Sequence, residues 1–219
     1  MKKFIIPAAF AIMAAASCSQ APEADKAEAT DQQSAIAQQG TALPVDTTAS
    51  KVTWVGTKVD GQHNGFFKIS NGTLGVENGN ITSGNFVIDV ASIVNEDLTD
   101  AKFNGDLIGH LKSPDFFDVE KYPTAAFEIT KVEPYDSTKI KSTLNGATHL
   151  ISGNLTLKDA TKNVTFPAIV SVNDDAVSAK ANFQIDRSNW NVNYKGQNNP
   201  QDWLIRKEVN IGLDITAKK

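Results

Sequence analysis

The sequence has one cysteine, Cys18, in 219 residues. A lone thiol excludes an internal disulfide and a cysteine-built zinc site. Arginine is nearly as scarce, present only as Arg187 and Arg206. With 21 Lys+Arg against 25 Asp+Glu and no basic patch, a nucleic-acid partner is not expected. No apolar run is long enough to span a bilayer comfortably. There is no internal repeat, no coiled-coil pattern and no βαβ rhythm. What is present is 41% hydrophobic, 8% aromatic and 21% charged residues, which excludes full disorder and collagen-like repeats.

The chain begins as an address. Lys2 and Lys3 precede an apolar run from Phe4 to Ala16, and small residues end it. This pattern reads as a secretory signal peptide over 1–17. Ala15-Ala16-Ser17-Cys18 resembles a bacterial lipobox, with Ala15 where Leu is usual. Cys18 is therefore the expected lipidation site, and several acyl chains at ~0.8 kcal/mol per buried methylene hold a protein on a membrane. Residues 18–49 are rich in Ala, Gln, Glu, Asp, Thr and Ser, with Ile36, Leu43 and Val45 as the only large apolar residues. Such a segment is expected to be a disordered acidic tether. It carries five carboxylates and one lysine, so the folded part, 50–219, is nearly neutral.

From residue 50 the hydrophobic period is 2. Val52, Trp54 and Gly56 start it, and Phe86, Ile88 and Val90 continue it. His149 to Leu157, Val164 to Val172, Val177 to Ile185 and Val209 to Ala217 are longer runs of the same kind. Alternation of this length marks half-buried strands. Asp60-Gly61, Asn71-Gly72, Asn78-Gly79 and Asn145-Gly146 are turn signals. Pro167 implies an edge or a bulge. One helical stripe interrupts the strands at Phe103, Leu107, Ile108 and Leu111, with a helix start at Asn104 or Asp106. Ser113 and Pro114 suit the cap and first position of a further short turn. The expected fold is all-β: a lipocalin-like, eight-stranded antiparallel barrel with one short helix and an inner apolar tunnel.

Four stretches resemble the YceI-like lipid/polyisoprenoid-binding family. They are Trp54-Val-Gly-Thr-Lys58 with His63-Asn-Gly-Phe-Phe67; Gly84-Asn-Phe-Val-Ile-Asp-Val-Ala-Ser-Ile93; His110-Leu-Lys-Ser-Pro-Asp-Phe-Phe-Asp-Val-Glu-Lys-Tyr-Pro-Thr-Ala-Ala-Phe127; and Gly153-Asn-Leu-Thr-Leu-Lys-Asp-Ala-Thr-Lys162, with Asp186-Arg187-Ser188 downstream. The resemblance covers about residues 50–217. It implies an exported barrel holding a long isoprenoid or similar amphiphile, and no resident cofactor. Asp159-Ala160 stand where the family pattern often has Gly-Val.

A tail of this kind needs a dry channel and its head needs a few polar groups. Trp54, Phe67, Phe86, Ile88, Phe127 and Phe183 are the expected channel wall. Gly56, Ala125, Gly153, Ala179 and Ala181 would leave room inside it. His63, His110, Lys112 and Arg187 are the polar candidates. Arg187 could bind a carbonyl or phosphate, or could form an ion pair with Asp115, Asp118 or Asp186. His110 could meet the last helix carbonyls. Phe116-Phe117 and Tyr122-Pro123 would plug one barrel end. His63, His110 and His149, spaced by 47 and 39 residues, match no compact metal pattern. No Gly-x-Ser-x-Gly elbow is present.

The expected function is noncatalytic binding, sequestration or transport of a polyisoprenoid-type lipid, a quinone or polyprenyl phosphate. The expected setting is the cell envelope or periplasm, with the protein lipid-anchored to a membrane, the outer membrane foremost. The alternatives are a solid-core β module binding a protein or glycan, and a lipid-acting enzyme. The sequence identifies no protein partner.

Overall fold

A computed structural model of the chain describes residues 22–173, 176–194, 200–201 and 204–218. The expected signal segment and Cys18 lie outside the described residues. Two short strands, β1 (Asp25–Lys26) and β2 (Thr41–Pro44), precede eight longer ones: β3 (Lys51–Lys58), β4 (Gly61–Glu77), β5 (Asn80–Asn95), β6 (Thr124–Pro134), β7 (His149–Leu157), β8 (Ala160–Val172), β9 (Ala176–Asp186) and β10 (Ile205–Lys218). Helix α1 (Ala101–Lys112) joins β5 to β6, and a 3-10 turn, Arg187–Trp190, follows β9. Strands β3 to β10 pair antiparallel in chain order, and β10 returns to β3 with Ile211 opposite Trp54. The result is the closed eight-stranded barrel that the alternation predicts, with one end filled and the other covered by α1.

Local chemistry explains most of the elements. Asn78 and Gly79, both at positive φ, make the tight β4–β5 turn. The Asp100 carboxylate caps α1 by accepting from the backbone N–H groups of Lys102 and Phe103. The helix thus starts at Ala101, three residues or more before the expected start, because a good cap outweighs the Asn104-Gly105 pair. Its inner stripe is Leu107, Ile108 and Leu111, while Phe103 is exposed. Ser113 both ends this helix and caps the short turn that follows, as expected. Its backbone N–H reaches Gly109 and His110 and its hydroxyl donates to the His110 carbonyl. The hydroxyl also accepts from the Asp115 N–H, and the Ser113 carbonyl accepts from the Phe116 and Asp118 N–H groups. Asn71-Gly72 is not a turn but lies inside β4, just past a register shift between Ile69 and Asn71 that bends the long strand. Pro167 sits one residue before the β8–β9 pairing begins at Ala168, where no strand bond needs its missing N–H.

The expected disordered tether is the largest correction. Residues 22–49 form a strap across the outside of the barrel. Toward the α1 end, β8 and β9 part beyond Ala168 and Ala181. The strap fills that seam: β1 runs parallel to β9, with Asp25 opposite Phe183, and Thr30 exchanges backbone hydrogen bonds with Asn163 of β8. It then crosses β7 and β6. Gln33 gives its N–H to Asn154 Oδ1 and accepts from Asn154 Nδ2, and Ile36 N–H donates to the Ile129 carbonyl. Gln39 N–H donates to Ser83 Oγ, β2 pairs with β4, and Asp46 reaches β10 through Thr216 and Lys218. The Lys218 ammonium, helped by Thr48 and Ala49, holds the Asp46 carboxyl well below the usual carboxylate range.

The physical reason is a set of outward-facing polar side chains that need partners. Asn154 is 1% exposed and Asn163 5%, yet both point away from the core. The strap covers both and pairs with the Asn154 amide, as it does with Ser83 and with Asn210, the latter donating to the Pro22 carbonyl. The Asn163 amide donates to Thr130 Oγ1 and Asn154 Oδ1 within the barrel. Of its apolar residues, Ala27, Leu43 and Val45 are buried and Ile36 is half-buried against the core. Gly75 marks the contact on β4, since a Cβ there would collide with Ser83 Oγ and the Gln39 carbonyl. The folded unit therefore begins well before residue 50.

Candidate functional site: an apolar tunnel under helix α1

Inward residues of the barrel strands enclose a cavity of about 370 Å³. The structure brings Trp54, His63, Phe67, Phe86, Ile88, His110, Phe116, Phe117, Phe127, Phe183 and Arg187 to its wall, whereas Lys112, Tyr122 and Pro123 do not line it. Sequence reading missed Leu107 and Leu111 from α1, Leu155 and Leu157 from β7, and Val192, Ile205 and Val209 around the mouth. The alternation of β7 and β10 carried that signal for Leu155, Leu157 and Val209.

The floor is aromatic. Phe86, Phe127, Phe166 and Phe183, from four strands, form a chain of ring contacts with centroids 6.3, 5.8 and 4.1 Å apart. Beyond Phe86 and Phe127 lies only a small void of about 30 Å³. Gly153, expected to leave room, instead seats the Phe127 ring, which occupies the place of its Cβ. Gly56 does leave room: it lines the cavity, and a Cβ there meets nothing within 4 Å.

The mouth is polar and aromatic. Phe117 packs edge-on to Phe67 at 5.7 Å. Phe116 is buried and stands 5.4 Å from the His110 ring and 5.8 Å from Tyr194. Lys158 ties Phe116 in place by donating to its carbonyl and to that of Asn191. Tyr122 lies off the cavity, near Asp159. His110 turns toward Asp115, 3.6 Å away, and leaves the helix carbonyl to Ser113.

Arg187, 5% exposed, reaches across the mouth. Its guanidinium donates to the backbone carbonyls of Val192, Ile205 and Arg206 and lies 5.8 Å from the Phe116 ring. It thus joins both ends of the 192–206 stretch. The neighbouring Asp186, one of its expected partners, caps the 3-10 turn through Ser188. Trp190, wholly buried, closes the same corner by donating from Nε1 to the Leu155 carbonyl at 2.8 Å.

His63 Nδ1 lies 2.8 Å from Asp97 Oδ2. Burial pulls the Asp97 carboxyl upward, but hydrogen bonds from the Asn64 N–H, His63 and Asn95 outweigh it and leave the group below its ordinary value. An Nδ1–H engaged this way makes Nε2 the acceptor of the neutral ring. His149 is far from this cluster, at the start of β7 beside Thr148, and burial lowers its pKa. Among the described residues no three His, Cys, Asp or Glu side chains gather as a metal site would require.

The barrel, its end helix and its tunnel decide the comparison with known proteins. A family model of the YceI-like domain matches residues 43–217. The chain belongs to the YceI-like family. The match starts at Leu43, inside β2, so the family domain includes the end of the strap. A UPF0312 protein of Pseudomonas aeruginosa is 43% identical over 67 residues, and the chain spans 30% of the length of that curated relative. BcnA of Burkholderia cenocepacia has 27% identity and a TM-score of 0.61, over 80% of this chain and 99% of that one. A polyisoprenoid-binding domain from Saccharophagus degradans, implicated in plant cell wall breakdown, has the same fold. Its TM-score is 0.55 at 14% identity, over 80% of this YceI-like chain and 97% of its own.

Proposed function

We propose that this YceI-like barrel binds an isoprenoid or similar amphiphilic lipid without transforming it, sequestering or carrying it at the cell envelope. The observation that carries this reading is the cavity of about 370 Å³, walled by aliphatic and aromatic side chains, with its polar groups at the rim. The polyisoprenoid-binding neighbour with the same fold supports it. A solid-core interaction module would have no use for such a void, since packed interiors rarely keep one. Export by the leader over 1–17 and lipidation of Cys18 complete the proposal: the anchored protein exchanges its ligand with the bilayer, where the tail is nearly as well solvated as in the tunnel.

Organic extraction of natively expressed protein, read by mass spectrometry, tests the reading. The full protein is expected to yield an isoprenoid-class lipid. Gly56→Leu is expected to yield at least tenfold less, because the new side chain enters the open space, while thermal stability holds or rises. An extract of the unaltered protein without lipid overturns the proposal.

Cavity size sets a further expectation. At about 30 Å³ per water-sized group, the tunnel holds on the order of a dozen chain carbons. In a series of linear alcohols, affinity should rise by up to about fourfold per methylene. It should level off near twelve carbons, where the chain meets the phenylalanine floor. Displacement of a bound fluorescent lipid would measure this.

A further inference from the structure

Four large apolar side chains stand exposed among the described residues: Val59 and Phe103 at 60%, Ile140 and Leu204 at 39%. Single exposed apolar residues need no explanation, but grouped ones do. Three of these four gather at the tunnel mouth. Val59, on the β3–β4 turn, follows the cavity-lining Lys58, and its N–H donates to the Leu204 carbonyl at 3.3 Å. Leu204 in turn precedes Ile205, which also lines the cavity. Phe103 stands one turn before the lining Leu107, on the same stripe of α1. The stripe faces the tunnel at Leu107 and Leu111 and has left it at Phe103. Fraying does not account for this. Asp100 caps these first turns, and Asn104 ties them to the barrel by donating to the Asn95 and Leu98 carbonyls.

We propose that Val59, Phe103 and Leu204 are the contact points of a membrane-docking face, which sets the tunnel mouth directly on a lipid surface. This rests on the lipid-binding reading and adds the surface through which the cargo passes. The three points come from separate segments and border an apolar opening, so they form no groove for a partner's helix or strand. A bilayer fits them. Its interface takes up aromatic and aliphatic tips, and its hydrocarbon then continues into the tunnel. A tail leaving through water would instead lose about fourfold in population for each methylene wetted. The strap enters at the same end, since Pro22 accepts from Asn210, which stands opposite Val55 in the mouthward half of β3. Charge plays the smaller part, because Lys58 pairs with Asp60 and Lys102 with Asp106. Docking is therefore expected on zwitterionic lipid and should survive added salt.

The test uses natively expressed protein on phosphatidylcholine vesicles. Asp60→Cys or Lys102→Cys carries an environment-sensitive fluorophore beside Val59 or Phe103. Glu77→Cys carries it at the far end of β4, on the β4–β5 turn. The unaltered protein, treated alike, is the blank. Lipids brominated along their acyl chains should quench the first two by about half or more and leave the third unchanged. The combined variant Val59→Ser, Phe103→Gln and Leu204→Gln should take up a fluorescent lipid from vesicles about tenfold more slowly. Its affinity for the same lipid free in solution should not change. Quenching that is absent beside Val59 and Phe103, or equal at all three positions, overturns the docking face. An unchanged uptake rate, or a slower one matched by an equal loss of affinity in solution, overturns it too. So does a fluorophore already buried without vesicles, which would mean a second copy of the chain on this face. If the quenching pattern holds but the unaltered protein takes up lipid neither from vesicles nor from solution, it is the lipid-binding reading that fails.

Discussion

A protein trimmed to begin at Ser50 is expected to unfold about 10 °C or more below the full chain, a loss of roughly 3–4 kcal/mol at this size. Residue 50 is where the period-2 pattern starts, and a trim there removes the strap. The barrel would lose the burial of Ala27, Leu43 and Val45, each a contact with the core cluster. It would lose the partners of Asn154, Asn163, Asn210 and Ser83 on its outer face. It would also expose the seam where β8 and β9 part. The recovered chain entropy of the strap offsets only part of this, since the segment is ordered in the intact protein. Gly75→Val should reproduce a fraction of the loss without any deletion, by forcing residues 38–40 off the barrel. Thermal unfolding of the two proteins beside the full chain measures both effects. Equal midpoints would show that the strap contributes nothing to stability.

The second large effect is expected at Arg187. Arg187→Ala should lower the unfolding free energy by about 3 kcal/mol or more, because charge-assisted hydrogen bonds to three carbonyls vanish at a buried site. Arg187→Lys should recover little. A single ammonium cannot fork between Val192 on one side and Ile205 and Arg206 on the other. Urea titration of the three proteins gives the numbers. Full rescue by lysine would mean that positive charge alone matters, and the forked geometry would be irrelevant.

Much of the barrel was legible because burial on one face of a strand imposes a period of 2. Trp54, Phe86, Phe127 and Phe183 could be placed on one wall from that period alone. The helix was legible through Leu107, Ile108 and Leu111. Its start was not, because Gly105 suggests a break while Asp100 supplies a cap. The strap was illegible for a different reason. Its attachment uses main-chain groups and side chains such as Asn154 and Ser83, which in the sequence look like ordinary solvent-facing strand positions. Three large apolar residues in 28 carry no periodic signal. Arg187 is legible as a polar candidate at the mouth, but its partners there are backbone carbonyls, which no side-chain inventory reveals.

The strap also changes how the protein would ride on a membrane. Had residues 19–49 been a free line, the barrel could wander tens of ångströms from its anchor. With Pro22 held by Asn210 on β10, only three residues separate Cys18 from Pro22, four Cα steps and a reach of at most about 14 Å. A lipid on that thiol would moor the molecule close alongside the bilayer and always by the same flank, so that the tunnel mouth keeps a constant bearing to the surface from which its cargo is proposed to come.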